Sequence, residues 1–126
     1  MQTRWIGKNV DLDALYTSIE EFFKRRGFKV VKDKSESQLR ISATKKIEDN
    51  PAKVILKVVG NPQDFTVDFE SGVNKRTLQI LGPLISLAGL GAWVRYKMAL
   101  YDFYEGLERE FWGFMEETIN SLSQSA

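Results

Sequence analysis

The chain has 126 residues, with 18 Lys and Arg against 17 Asp and Glu and a net charge of +1. These values are typical of one globular domain spanning residues 1–126. It contains no cysteine and no histidine, which excludes disulfides, thiolate nucleophiles, imidazole metal ligands and Ser-His-Asp triads. We therefore expect a non-enzymatic protein that needs neither a cofactor nor a metal.

The first predicted elements are a short edge strand over residues 3–7 and a helix over residues 10–26. The apolar residues at helical spacing are Leu12, Leu15, Tyr16, Ile19, Phe22 and Phe23. Asn9 or Asp11 can cap the start of the helix, and Gly27 has the position of a residue that ends one. The residues before the helix contain no apolar run of the kind found in secretory signals, which predicts a cytoplasmic protein.

Four strands are predicted within residues 28–71. They cover residues 28–32, 38–46, 53–59 and 65–70. In three of them apolar and polar side chains alternate, a pattern typical of an antiparallel sheet with one face in water. The predicted connections are polar loops over 34–37 and 46–52 and a turn over 60–63.

An apolar segment, residues 77–94, follows the sheet and carries no charged side chain. As a helix it would reach roughly 27 Å, which approaches the thickness of a bilayer core. Its glycines, Pro83 and the basic residues at both of its ends argue against a membrane-spanning helix. The segment is expected to be a bent insertion buried in the monomer, in a subunit interface or against lipid, with a mobile loop as a further alternative.

The last predicted element is a long helix over residues 92–121. Its apolar stripe consists of Leu100, Phe103, Tyr104, Leu107, Phe111, Phe114, Met115, Thr118 and Leu122. The expected fold is α+β in the order α-β-β-β-β-α, with one antiparallel meander and both helices on its apolar face. This topology is similar to half of a TATA-binding-protein-like fold or to a reduced helix-grip fold, and the similarity carries no function.

Residues 78–94 of the apolar segment and the aromatic helix after it form the predicted interaction surface. Trp and Tyr are enriched at interfaces because they combine a large apolar area with a polar group. The residues expected to contact a second copy, a partner, or an apolar ligand or lipid are Leu84, Leu87, Leu90, Trp93, Tyr96, Tyr101, Tyr104 and Trp112. A homo-oligomer is expected, with a dimer favoured. The alternative is that the aromatic stripe packs against the sheet of its own domain.

Two further features lie on the long helix. Ala99, Gly106 and Gly113 repeat every seven residues, and a glycine inside a helix costs about 1 kcal/mol relative to alanine. This predicts close approach of another backbone, with a solvent-exposed flank as the alternative. Glu108 falls within the apolar stripe, where burial would raise the pKa of its carboxyl, unless Arg109 or a tyrosine hydroxyl satisfies it.

Nucleic-acid binding is the alternative function, because basic residues are concentrated in the first half of the chain. Residues 1–57 hold 13 Lys and Arg against 8 Asp and Glu, a net charge of +5, while residues 58–126 hold 5 against 9, a net charge of −4. The candidate phosphate contacts are Arg25, Arg26, Lys29, Arg40, Lys53 and Lys57. The same asymmetry could instead steer an antiparallel self-association or reflect solvated faces.

Overall fold

The computed structural model describes residues 1–36, 38–47, 50–71 and 91–125, and the side chains in these ranges except those of 50, 91–99, 124 and 125. Its elements are β1 (Gln2–Ile6), α1 (Leu12–Arg25), β2 (Lys29–Lys34), β3 (Gln38–Ile47), β4 (Asn50–Asn61), β5 (Asp64–Ser71) and α2 (Gly91–Ser125). The five described strands form an antiparallel sheet in the order β1-β5-β4-β3-β2. The predicted α+β layout is confirmed, and the short first strand lies at the sheet edge beside β5.

Strict alternation along the central strands builds the core, as predicted. The buried side chains of β3, β4 and β5 are Leu39, Ile41, Ala43, Ala52, Val54, Leu56, Val58, Phe65, Val67 and Phe69. The register sets Ile41 beside Leu56 and Leu56 beside Phe69, so these side chains form continuous rows across one face. Full burial of a large aliphatic or phenyl side chain contributes about 1.5–3 kcal/mol.

Helix α1 begins and ends where its capping residues allow. The Asp11 carboxylate accepts hydrogen bonds from the backbone N–H groups of Asp13 and Ala14 at 3.0 and 3.4 Å, which fixes the first turn. Gly27 ends the helix with a φ of 84°, a conformation that favours glycine. The chain can then turn directly into β2, so that Phe28 is buried against Phe23.

The predicted polar loop over 46–52 is wrong in its extent, because β3 continues to Ile47 and β4 begins at Asn50. Pro51 thus lies within a strand, paired with Lys46. Proline has no backbone N–H, whereas a central strand donates hydrogen bonds to the strands on both of its sides. It is tolerated here because pairing between β4 and β5 starts only at Val54 with Ser71.

The two helices share the inner face of the sheet. Phe22 of α1 packs against Phe111 and Phe114 of α2, with ring centroids 5.6 and 4.9 Å apart. On its other side α2 approaches β5 and β1, where Phe111 lies 5.3 Å from Phe69 and Trp112 lies 6.2 Å from Trp5. Helix α2 therefore covers the β5 half of the sheet, and α1 covers the β2 half.

Residues 77–90 of the predicted apolar segment lie outside the described residues, and the backbone of 91–94 forms the start of α2. None of the helices that the structure does describe is long and apolar enough to cross a membrane.

Candidate interaction surfaces

Tyr104, predicted at the interface, is instead a core residue. It is only 4 % exposed, and its hydroxyl accepts a hydrogen bond of 2.7 Å from the backbone N–H of Lys53. Lys53 lies one residue beyond the last pair of the β4–β5 ladder, Val54 with Ser71. The phenol therefore satisfies a strand N–H that β5 does not reach, and Tyr104 is not available to a partner.

Trp112 and Tyr101 are half-buried. The Trp112 indole packs against Trp5 and Phe111, with ring centroids 6.2 and 5.0 Å away. Most of its apolar surface is thus used within the domain, which favours the alternative that the aromatic stripe packs on its own sheet. Of the other predicted interface residues, Leu84, Leu87 and Leu90 lie outside the described residues, and only the backbone is described for Trp93 and Tyr96.

Glu108 is less buried than predicted, because its side chain remains 27 % exposed. It accepts a hydrogen bond of 3.4 Å from the Trp112 indole N–H and lies 3.6 Å from the amino-terminal ammonium of Met1. Arg109, which was expected as one partner, lies 4.0 Å from Glu105 instead. The carboxylate lies at the edge of the apolar stripe, where β1 brings the chain terminus close, and it keeps access to water.

The predicted close packing along the glycine flank is not found among the described residues. A Cβ atom built at Gly106 or at Gly113 would meet nothing within 4 Å. Ala99 belongs to the same flank, and only its backbone is described. Close packing at this flank stays a prediction, and its neighbour would have to be a second copy or residues outside the described ranges.

A surface cavity of about 410 Å³ opens beside Gly106, where α1 ends and α2 continues. Its walls include Phe28 and Phe103, with ring centroids 6.3 Å apart. Its two basic groups are already engaged: Arg26 lies 3.2 Å from Glu110, and Lys45 donates a hydrogen bond to the Arg26 carbonyl. Arg26 is therefore paired with an acidic group, whereas the hydrogen bond of Lys45 anchors its ammonium to the end of α1 without neutralising its charge.

The sheet face that points away from the helices, called the open face below, separates its charges by strand across β3, β4 and β5, while β2 carries Lys29 and Asp33 and β1 carries Arg4. On β3 and β4 its charged residues are all basic: Arg40, Lys46, Lys53 and Lys57. On β5 they are all acidic: Asp64, Asp68 and Glu70. The seven side chains are exposed or half-buried, and no element in the described ranges covers them. Alternation in the sequence showed that each set shares a face, but only the strand register shows that the two sets are neighbours.

Part of this charge is neutralised within the sheet. The Lys57 ammonium lies 3.5 Å from Glu70, and Arg4 of β1 holds Asp64 with two hydrogen bonds of 2.8 and 2.7 Å. Arg40 has no ion-pair partner in the described part of the chain, although Asp33 of β2 lies across from it. On its other side Arg40 lies across from Lys57 of β4, and like charges directly opposite each other destabilise a sheet.

The acidic strand β5 also brings like charges together. Asp68 and Glu70 are two residues apart on β5 and therefore point to the same side. Partial burial raises the pKa of Asp68, as do the hydrogen bond with Glu70 and the charge of Glu70, while the amino terminus and Lys57 lower it. The positive charge of Lys57 and the amino terminus is thus insufficient to offset the three effects that raise the pKa of Asp68.

The six residues predicted to contact nucleic acid do not share one surface. Lys29, Arg40, Lys53 and Lys57 lie on the open face, whereas Arg25 and Arg26 belong to the helical layer on the other side of the sheet. The Arg26 guanidinium is 3.7 Å from the centroid of the Phe22 ring and also pairs with Glu110. It is therefore held against its own domain.

In the described ranges no three acidic side chains converge as a metal site would require. Comparison with known protein families and with curated protein sequences finds no family model that matches the chain and no similar protein. Inference about function therefore depends on the surfaces just described.

Proposed function

We propose that this chain is a non-enzymatic binding protein that acts as a self-associated species, with a dimer as the simplest form. The observation that carries the proposal is the charge-segregated open face, where basic strands lie beside an acidic strand and no described element covers them. Such a face complements a second copy of itself, because each copy supplies both signs of charge. The predicted cytoplasmic location is kept as part of this proposal.

The apolar segment is kept as a second surface for the same function, with Leu84, Leu87 and Leu90 as its contacts. The two surfaces respond differently to salt. Contacts between exposed charges weaken as ionic strength rises, since the Debye length shortens from about 10 Å at 0.1 M to about 3 Å at 1 M. Burial of apolar side chains does not weaken in this way, and excluded salts strengthen it.

The experiment is sedimentation velocity over a wide range of protein concentrations, at low and at high sodium chloride. We expect a species of twice the 14.5 kDa chain mass that dissociates as salt is added if the open face forms the contact. A dimer that resists salt but is lost in Leu87→Glu would assign the contact to the apolar segment. A strict monomer at every concentration would refute self-association.

Nucleic-acid binding is the second candidate, because Arg40, Lys46 and Lys53 are basic and without an ion-pair partner in the described chain. Anisotropy of a labelled single-stranded oligonucleotide at low salt tests it. Binding should fall steeply with salt and be reduced by Arg40→Gln and Lys53→Gln. No binding at low salt would refute it. The acidic groups of β5 lie on the next strand and would repel phosphates, so we place this candidate second.

A further inference from the structure

The open face carries charges in an order that limits how a second copy can sit on it. β3 and β5 are the two neighbours of β4, one basic and one acidic on this face. Arg40, Lys57 and Asp68 lie in one row across these strands, because Arg40 pairs with Lys57 and Lys57 pairs with Asp68. Arg40 and Asp68 are thus about equally far from Lys57, on opposite sides of it.

We propose that two copies pack open face against open face about a two-fold axis parallel to β4, so that Arg40 of each copy meets Asp68 of the other. The inference rests on the proposed function, since it requires that the chain self-associates. A rotation about this axis exchanges the positions of β3 and β5 and leaves each row at the same position along the strands. The acidic strand of each copy therefore lies over a basic strand of the other, and the Arg40–Asp68 contact forms twice.

Other two-fold orientations fit less well. An axis across the strands through the row of Arg40 and Asp68 would lay each strand over its own counterpart, placing basic groups on basic ones and acidic groups on acidic ones. With the axis along β4, Lys57 and Lys53 of β4 each meet their own copy across the axis, and each Lys57 already has Glu70 at 3.5 Å. Two attractive contacts thus stand against two repulsive ones, of which the contact at Lys57 is partly neutralised, whereas the axis across the strands gives this row no attractive contact at all.

The size of the face suits a stable dimer. Strands lie about 4.8 Å apart and rise about 3.4 Å per residue, so five strands of 5 to 12 residues give a footprint of roughly 700 Å². A standard interface buries about 800 Å² per partner. Packed sheets lie about 10 Å apart, a separation that Arg and Asp side chains reaching from both sides can bridge.

The contact would also supply what each residue lacks in the single chain. Arg40 gains an ion-pair partner, and Asp68 gains the positive charge that Lys57 and the amino terminus provide only in part. Val31 and Val59, two exposed large aliphatic residues of the open face, would be removed from water in the same step. This removal adds a favourable term that charge alone would not provide.

The test is charge reversal followed by mixing, read by sedimentation velocity at low salt. We expect Arg40→Glu and Asp68→Lys each to weaken self-association at least tenfold. An equimolar mixture should restore it, because unlike copies then form one native Arg40–Asp68 contact and one contact with both charges reversed. The double variant in one chain should restore it as well. Arg109→Glu, which makes the same charge change on an exposed position of α2, is the matched control and should have no effect.

Restoration by mixing cannot come from a variant that has failed to fold, so the experiment stays informative if one variant is damaged, and circular dichroism identifies such a case. Self-association that survives both reversals, or two variants that stay apart when mixed, would overturn this arrangement while leaving the proposed function intact. A wild-type chain that never associates would overturn the proposed function itself.

Discussion

The effect of replacing a glycine of the α2 flank by alanine on the free energy of unfolding depends on what lies beside that glycine. Gly106 and Gly113 are inside a long helix, and an added Cβ would touch nothing within 4 Å in either case. Gly60, at the end of β4, is the opposite case. Its φ is 131°, and an added Cβ would meet the Phe65 Cα at 2.8 Å and overlap the Asp64 carbonyl oxygen.

The magnitudes follow from these surroundings. Alanine is favoured over glycine inside a helix by about 1 kcal/mol, and no described contact opposes this gain. We expect Gly106→Ala and Gly113→Ala each to raise the free energy of unfolding by about 0.5–1 kcal/mol, and the double variant by about 1.5 kcal/mol. For a domain of this size that is an increase in Tm of roughly 6 °C. We expect Gly60→Ala to lower the free energy of unfolding by about 3 kcal/mol, since its neighbours are backbone atoms.

The assay is urea unfolding followed by tryptophan fluorescence, at a protein concentration low enough to favour the monomer. Trp5 packs on Phe65 and near Trp112, so its emission should report loss of the sheet and α2 together. If Gly106→Ala or Gly113→Ala is destabilising instead, a neighbour must approach this flank more closely than any described residue does. That result would refute the exposed-flank interpretation and support close packing at Ala99, Gly106 and Gly113.

Three further substitutions test single contacts. Tyr104→Phe should lower the free energy of unfolding by about 1–2 kcal/mol in urea titrations, because the Lys53 N–H loses its acceptor, and Tyr101→Phe, at a half-buried position, should change little. Glu20→Gln should lower the free energy of unfolding by about 1 kcal/mol above pH 5. The Glu20 carboxylate lies 2.6 Å from each of two lysine ammonium groups, and their hydrogen bonds lower its pKa. That difference should fade as acid protonates the native carboxyl, while the exposed pair of Glu21 should contribute almost nothing. Asp68→Asn should leave monomer stability unchanged or higher at neutral pH. The pKa of Asp68 is raised in the folded chain, so the stability of the native protein falls as pH rises through that pKa, and the uncharged Asn avoids this loss. Lower monomer stability of the variant would contradict this reasoning.

Periodicity was sufficient to predict the fold because each element carries its own signal. Alternation placed Leu56 and Phe69 on the inner face, and the cap residues Asp11 and Gly27 marked the ends of α1 within two residues. The extent of the β3–β4 hairpin could not be predicted in this way. Pro51 normally argues against a strand, and only the position at which β5 stops explains why it is tolerated.

The aromatic residues of α2 show why the site was harder to predict than the fold. A stripe of Tyr, Trp and Phe has the same spacing whether it covers a sheet or binds a partner. For Tyr104 the outcome depends on one backbone N–H, that of Lys53, which lies one residue beyond the last described pair of the β4–β5 ladder. Such a contact joins residues 51 positions apart and leaves no local pattern in the sequence.

The charges of the open face differ in kind from the aromatic stripe, because contacts among the described residues leave Arg40 without an ion-pair partner and Asp68 beside a like charge. Aromatic burial is explained by the core, whereas placing Arg40 opposite Lys57, and Asp68 beside Glu70, costs stability in a single copy. Exchanging the charges of Arg40 and Asp68 would leave the fold pattern unchanged, since both positions point to water. A surface that retains unfavourable neighbours is more readily explained by a partner that compensates for them than by folding alone, and the acidic and basic strands on either side of β4 fit such a partner in a second copy of the chain.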